Sequence, residues 1–133
     1  MRPTSRLGGC LFIEVKKTLA AERNSGLLVL PSALTAAQRD LIVALAAQHK
    51  LPAVYPYRYF IPGGGLLSYG VEVNDLYRQA AGYINRILRG EKPGDLPVQA
   101  PTKFQMVINL KAAKALGLEV PLHLQQLADE VIE

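Results

Sequence analysis

Two short apolar runs flanking one amphipathic segment constrain this chain more than any other feature. Gly26-Leu27-Leu28-Val29-Leu30 is a continuous apolar stretch closed by Pro31-Ser32, the pattern of a strand buried on both faces of a parallel sheet. Thr35 and Gln38 form a T-x-x-Q capping box that opens a helix reaching about Gln48. Its apolar positions Leu41, Ile42, Leu45 and Ala46 share one face at helical spacing. Leu51-Pro52-Ala53-Val54-Tyr55-Pro56 then reads as a second strand bounded by prolines. A strand, a helix and a strand in so short a span make a βαβ unit, whose two strands run parallel and whose crossover is right-handed.

Similar patterns continue to the C-terminus. An aromatic-rich loop, Tyr57 to Pro62, leads through Gly63-Gly64-Gly65 into a third strand, Leu66 to Gly70. From Asn74 to Arg89 the side chains Leu76, Tyr77, Ala80, Ala81, Ile84, Ile87 and Leu88 form a single stripe. Asn74 or Asp75 can cap that helix, and Gly90 followed by Pro93 ends it. Glu91 to Pro101 carries three prolines and a glycine, so it is a surface connection. Phe104 to Ile108 is a further strand, Asn109 caps a helix over Leu110 to Leu116, and Gly117 stops it. Pro121 starts a last helical turn towards Glu130, while Leu11 to Glu22 reads as a short strand followed by a helix. The fold class expected is α/β, with parallel strands alternating with helices. A chain of 133 residues, half of them hydrophobic, can bury a core of that kind.

Charge and composition exclude several functions. The formal net charge is +4, from 15 Lys and Arg against 11 Asp and Glu. These charges are scattered, and Arg86, Arg89 and Lys92 are interrupted by Glu91, which suits a solvated helix face better than a phosphate-binding patch. No nucleic-acid partner is expected. Cys10 is the sole cysteine, so no internal disulfide forms. No apolar run approaches the ~20 residues needed to cross a bilayer. Leu7-Gly8-Gly9-Cys10 matches the short pattern at which bacterial lipoproteins are cleaved, but only six residues precede it. It is read as a small-residue turn, and the start of the chain lacks the apolar segment that export requires. His49 and His123 stand without a second ligand at metal spacing, and Gly63-Gly64-Gly65 is followed by no Gly-Lys-Ser or Gly-Lys-Thr. No metal or cofactor is expected, and catalysis finds little support.

What remains is non-covalent binding. Ligands of open α/β sheets sit in the crevice at the carboxyl ends of the strands. That rule gathers Ser32, Tyr55, Tyr57, Arg58, Ser68, Tyr69 and Gly70. Ser32 and Ser68 offer hydroxyls, Arg58 can pair with a carboxylate, and the tyrosines offer flat apolar faces with a polar tip. Each tyrosine can equally be core or rim packing.

Gly64-Gly65-Leu66-Leu67-Ser68-Tyr69-Gly70, followed by Asp75-Leu76-Tyr77-Arg78 and Ala80-Ala81, resembles the signature of the ABC-transporter substrate-binding proteins of the tryptophan/tyrosine-uptake type. The resemblance continues through Ile87 to Gly90, Asp95 to Gln99, Pro101 to Phe104, Val107 to Lys111, Ala113 to Leu118 and Ala128 to Ile132. It implies a partial type I periplasmic-binding-protein fold, with two incomplete lobes joined at a hinge. Residues 18–66 would belong to the second lobe, and 67–133 to the hinge crossover and part of the first. Residues 1–17 stay unmatched. Ser68 to Gly70 would lie where the chain crosses between lobes. The resemblance further implies a small-molecule solute (an aromatic or branched amino acid), an ABC permease as partner and a periplasmic location. Members of that family are considerably longer and carry an export signal. This chain is therefore expected to be a truncated form, cytoplasmic if expressed as written, whose exposed edges favour a homodimer. Two other readings stand beside it. One is a cytosolic ligand-sensing or oligomerisation domain. The other is a small α/β enzyme holding a phosphorylated substrate near Gly64.

Overall fold

The computed structural model describes residues 25–133. The expected strand and helix over Leu11 to Glu22 lie outside these residues. In chain order the elements are β1 (Leu27–Leu28), α1 (Ala33–Ala37), α2 (Arg39–Gln48), β2 (Ala53–Tyr55), a 3₁₀ turn (Arg58–Phe60), β3 (Leu67–Val71), α3 (Val73–Leu88), a second 3₁₀ turn (Pro93–Asp95), β4 (Phe104–Asn109), α4 (Leu110–Leu116), α5 (Leu122–Leu127) and β5 (Glu130–Ile132). The five strands form one sheet in sequence order. β1, β2 and β3 are parallel, β3 and β4 antiparallel, and β4 and β5 parallel.

The βαβ unit is present as expected, and Val29 extends the first pairing by donating its N–H to the Val54 carbonyl at 2.9 Å. Its helix differs from the sequence reading. Ser32 is the cap: its Oγ accepts from the Thr35 N–H at 3.1 Å, and the Ser32 N–H donates to Thr35 Oγ1 at 3.1 Å. Thr35 thus takes the last position of a box that begins three residues earlier. Gln38, expected to complete the box, is instead the junction between α1 and α2, with no capping bond from its side chain. The two-helix solution arises because Ser32 is the first side chain after β1 able to satisfy free N–H groups.

The core lies between α2 and the sheet. Val29, Ile42, Val43, Ala46, Ala53, Tyr55 and Phe60 form one buried cluster, with Leu27 and Tyr57 packed at its margin. Alternation along β2 places Ala53 and Tyr55 on this face. In contrast α3, the longest helix described, buries none of its residues. It starts at Val73 with Glu72 as the N-cap, whose side chain makes no capping bond, so neither Asn74 nor Asp75 caps it. Arg89 ends it and Gly90 follows at φ +100°, as its glycine foreshadowed.

β4 and α4 follow the sequence closely. Asn109 Oδ1 accepts from the Ala112 N–H at 3.0 Å, and Gly117 turns left-handed at φ +74°. The last helix is shorter than expected, and its final residues form β5 instead, paired to β4 through Val107 and Glu130. Asp129 fixes this change by accepting the Met106 N–H at 2.7 Å while donating its own N–H to the Met106 carbonyl at 2.9 Å.

Candidate functional site

β1, β2 and β3 run in one direction, so their carboxyl ends, Val29 to Ser32, Tyr55 to Arg58 and Tyr69 to Glu72, come to the same edge of the sheet. The chain leaving β2 folds back over the sheet instead of departing from it. Pro56 passes so close to β3 that a Cβ on Gly70 would run into the Pro56 carbonyl oxygen. The 3₁₀ turn follows, closed by the Ile61 N–H donating to the Arg58 carbonyl at 2.9 Å. Phe60 drives into the core and stacks on Tyr55 with ring centroids 5.0 Å apart. Gly64 and Gly65 complete the return, donating to the carbonyls of Ile61 and Phe60. Gly64 takes φ +101°, and a Cβ on Gly65 would meet the Phe60 oxygen at 2.7 Å. The triple glycine is therefore a turn shaped by this packing.

The seven residues singled out in the sequence take different places around that roof. Tyr55 is 1% exposed and Ser68 2% exposed, side by side in register beneath the turn. Burial pushes the Tyr55 phenol up to about 12. The Ser68 hydroxyl is buried without a hydrogen-bond partner among the described residues. Gly70 lies under Pro56. Ser32 is exposed and its Oγ is engaged in capping α1. Tyr57 is half-buried and stacks on Tyr59 at 5.2 Å. Arg58 places Nη2 2.7 and 2.6 Å from the two carboxylate oxygens of Glu130. That bond uses one nitrogen of the guanidinium, leaving Nε and Nη1 for another acceptor. Tyr69 points to the opposite face, where it is exposed and stacks on Phe104 at 5.9 Å.

The structure adds residues the sequence reading passed over. Tyr59 stacks between Tyr57 and Phe60, and the Arg39 guanidinium lies 5.8 Å from its ring centroid. Partial burial and then the neighbouring Tyr57 raise the Tyr59 phenol, and Arg39 opposes them. The dense aromatic run from Tyr55 to Phe60 carried that signal. Glu130, by contrast, is 72 residues from Arg58 and left none.

A cavity of about 370 Å³ lies between α2 and α4, towards the amino-terminal end of β2 and β3, and both Tyr55 and Gly64 reach its lining. Its walls include Val43, Ala46, Leu51, Leu66, Ala112 and Leu116. The Asn109 amide beside it is already committed to the cap and to the Ile61 carbonyl. It offers an apolar gap, whereas the strand ends offer aromatic faces, hydroxyls and a guanidinium. Among the described residues no group of three His, Cys, Asp or Glu could hold a metal ion. No helix among them is long and apolar enough to cross a membrane.

In an open α/β sheet the carboxyl ends of the strands are where ligands of such folds sit, and here that end gathers the aromatic, hydroxyl and guanidinium groups. The family of ABC transporter substrate binding proteins matches residues 13–132, and the chain belongs to it. The match begins at Ile13, inside the segment 1–17 that was expected to stay unmatched. Solved structures agree. A conserved domain protein from Vibrio cholerae O1 biovar El Tor is 25% identical, with a TM-score of 0.77. An ABC domain from Streptococcus pneumoniae, in complex with L-Trp, is 25% identical with a TM-score of 0.79. Each comparison covers 90% of this chain and 40% of the other. A ligand-free, open substrate-binding protein with adhesive properties from Clostridium difficile is similar in fold, with a TM-score of 0.63 at 22% identity, covering 91% of this chain and 40% of that one. Among curated proteins none matches the chain. The chain thus carries a partial periplasmic-binding-protein fold and spans 40% of the length of the solved structures it resembles.

Proposed function

We propose that this chain serves the solute-capturing step of an ABC importer, binding a free amino acid with an aromatic or branched side chain and performing no catalysis. The observation that carries this reading is the family match over residues 13–132, joined to the L-Trp found in the pneumococcal relative. The strand-end groups support it. Tyr57 and Tyr59 present stacked rings beside the crevice, a surface suited to a flat side chain. Arg58, oriented by Glu130, has two nitrogens left to receive an α-carboxylate. Ser32 and Tyr69 border the same edge of the sheet, while Tyr55, Ser68 and Gly70 shape the wall from beneath.

In this reading residues 67–133 include the crossover between lobes, with Ser68 to Gly70 at the hinge, and residues 18–66 belong to the second lobe. Capture proceeds by shifting an open–closed equilibrium through contacts made better in one state. The downstream partner is an ABC permease, and the site of action is the outer side of the cytoplasmic membrane.

The test is a thermal-shift screen of the purified chain against the common amino acids and a few sugars. A rise in melting temperature specific to aromatic or branched amino acids is expected, since a ligand that binds only the folded state stabilises it. A cooperatively folded sample that responds to no amino acid would contradict the proposal.

A further inference from the structure

We propose that the gap between α2 and α4 is a binding site separate from the strand-end crevice, taking a neutral bicyclic aromatic molecule whose hydrogen-bond acceptor is met by the Tyr55 hydroxyl. Its walls are apolar side chains from both helices and from Leu66 ahead of β3, among them Val43, Ala46 and Leu116. Ala47 and Ala115 belong to the lining and are exposed, so the gap opens to solvent between the helices and can fill without unfolding. At about 370 Å³ it is well above the roughly 150 Å³ that accommodates benzene, which leaves room for about two fused rings.

One polar group selects the ligand. Tyr55 is 1% exposed, and its ring packs on Phe60 and then passes the glycine turn, where a Cβ on Gly65 would meet Cε2 at 3.0 Å. The hydroxyl lies beyond that ring edge, and Gly64 and Leu66, on either side of Gly65, line the gap together with Tyr55. No described residue hydrogen-bonds this hydroxyl, and burial is the one cause that raises its phenol. A buried hydroxyl left without a partner is costly, and an acceptor placed in the gap would remove that cost. Asn109, the other uncharged polar side chain on the wall, is occupied by the Ala112 N–H and the Ile61 carbonyl. Lys111 is the charged residue of the lining, and it is exposed, so its ammonium stays with solvent. An ionised group inside the gap would be desolvated without a partner, which restricts the site to neutral molecules.

Quinoline and naphthalene test this, since they share a shape and differ in one ring nitrogen, an acceptor that is unprotonated at neutral pH. Each is titrated into the isotopically labelled full chain while its backbone amides are followed. Saturable shifts are expected at Ala46, Ala47, Leu66, Ala112 and Leu116. Quinoline should bind about threefold to tenfold more tightly than naphthalene, the worth of one hydrogen bond. Tyr55→Phe should abolish that preference by weakening quinoline alone. It should not lower the melting temperature of the free chain, because the hydroxyl it deletes is unpaired. L-Tryptophan, a zwitterion, should leave the gap amides in place. No saturable shifts there, as a gap already filled from within the chain or by a second copy would give, would overturn the inference. Equal affinity for the two probes, a preference that survives Tyr55→Phe, a Tyr55→Phe chain that melts lower on its own, or gap shifts from L-tryptophan would overturn it as well.

Discussion

Gly70 stands at the strand-end crevice because the Pro56 carbonyl occupies the space its side chain would need. A Cβ there would overlap the Pro56 oxygen, inside any tolerable contact. Either β3 or the roof above it must then move. Gly70→Ala should lower the unfolding free energy by about 2 kcal/mol or more, the scale of an overpacked core, read from urea unfolding of the two chains. Tyr55 carries a different kind of information. Its phenol is neutral and buried, raised to about 12 from an ordinary value of 10.0. The unfolded chain loses that proton first, so the stability that Tyr55 contributes is fully present below the ordinary phenol value and is lost as pH rises through the folded one. A tenfold change in proton affinity is worth roughly 1.4 kcal/mol, so Tyr55 accounts for at most about 3 kcal/mol of alkaline destabilisation. Urea unfolding followed from mildly to strongly alkaline pH should show a shallower decline in Tyr55→Phe than in the natural chain. An identical decline in both would contradict the burial argument.

Elements whose signals are local were legible in the sequence. β1 and β2 announced themselves through apolar runs, and α4 through its cap at Asn109 and its stop at Gly117. Asn109 also reaches the Ile61 carbonyl at 3.5 Å, linking α4 to the roof over the sheet. Asn109→Ala should therefore cost about 1 to 2 kcal/mol, the range of a lost N-cap, measured by thermal or urea unfolding. Elements decided by competition between neighbours were less legible. Thr35 had two capping roles open to it, and Ser32, nearer the strand, took precedence. β5 reads as the end of a helix because Glu130, Val131 and Ile132 form too short a run to show a period. Pairing with β4 and the Asp129–Met106 bonds make it a strand. For α3 the stripe was plain in the sequence, but which surface it meets is not encoded in its own spacing.

For the molecule as a whole, β3 and β4 bind the two halves of the described chain into a single sheet. The strand-end rule named residues that the fold does bring to one end of the sheet, yet it could not foresee the roof that buries Tyr55 and Ser68. That roof depends on Gly70 and the glycine turn, contacts between residues well separated along the chain. Tyr57 and Arg58 stay at its rim, and Glu130 joins from the far edge of the sheet. Titrating the isotopically labelled chain with L-tryptophan, and following its backbone amide resonances, asks whether solute is captured at these strand ends. Capture there predicts saturable shifts concentrated at Ser32, Tyr57 to Arg58 and Tyr69 to Glu72. Shifts confined to the apolar gap between α2 and α4, or none at all, would contradict it.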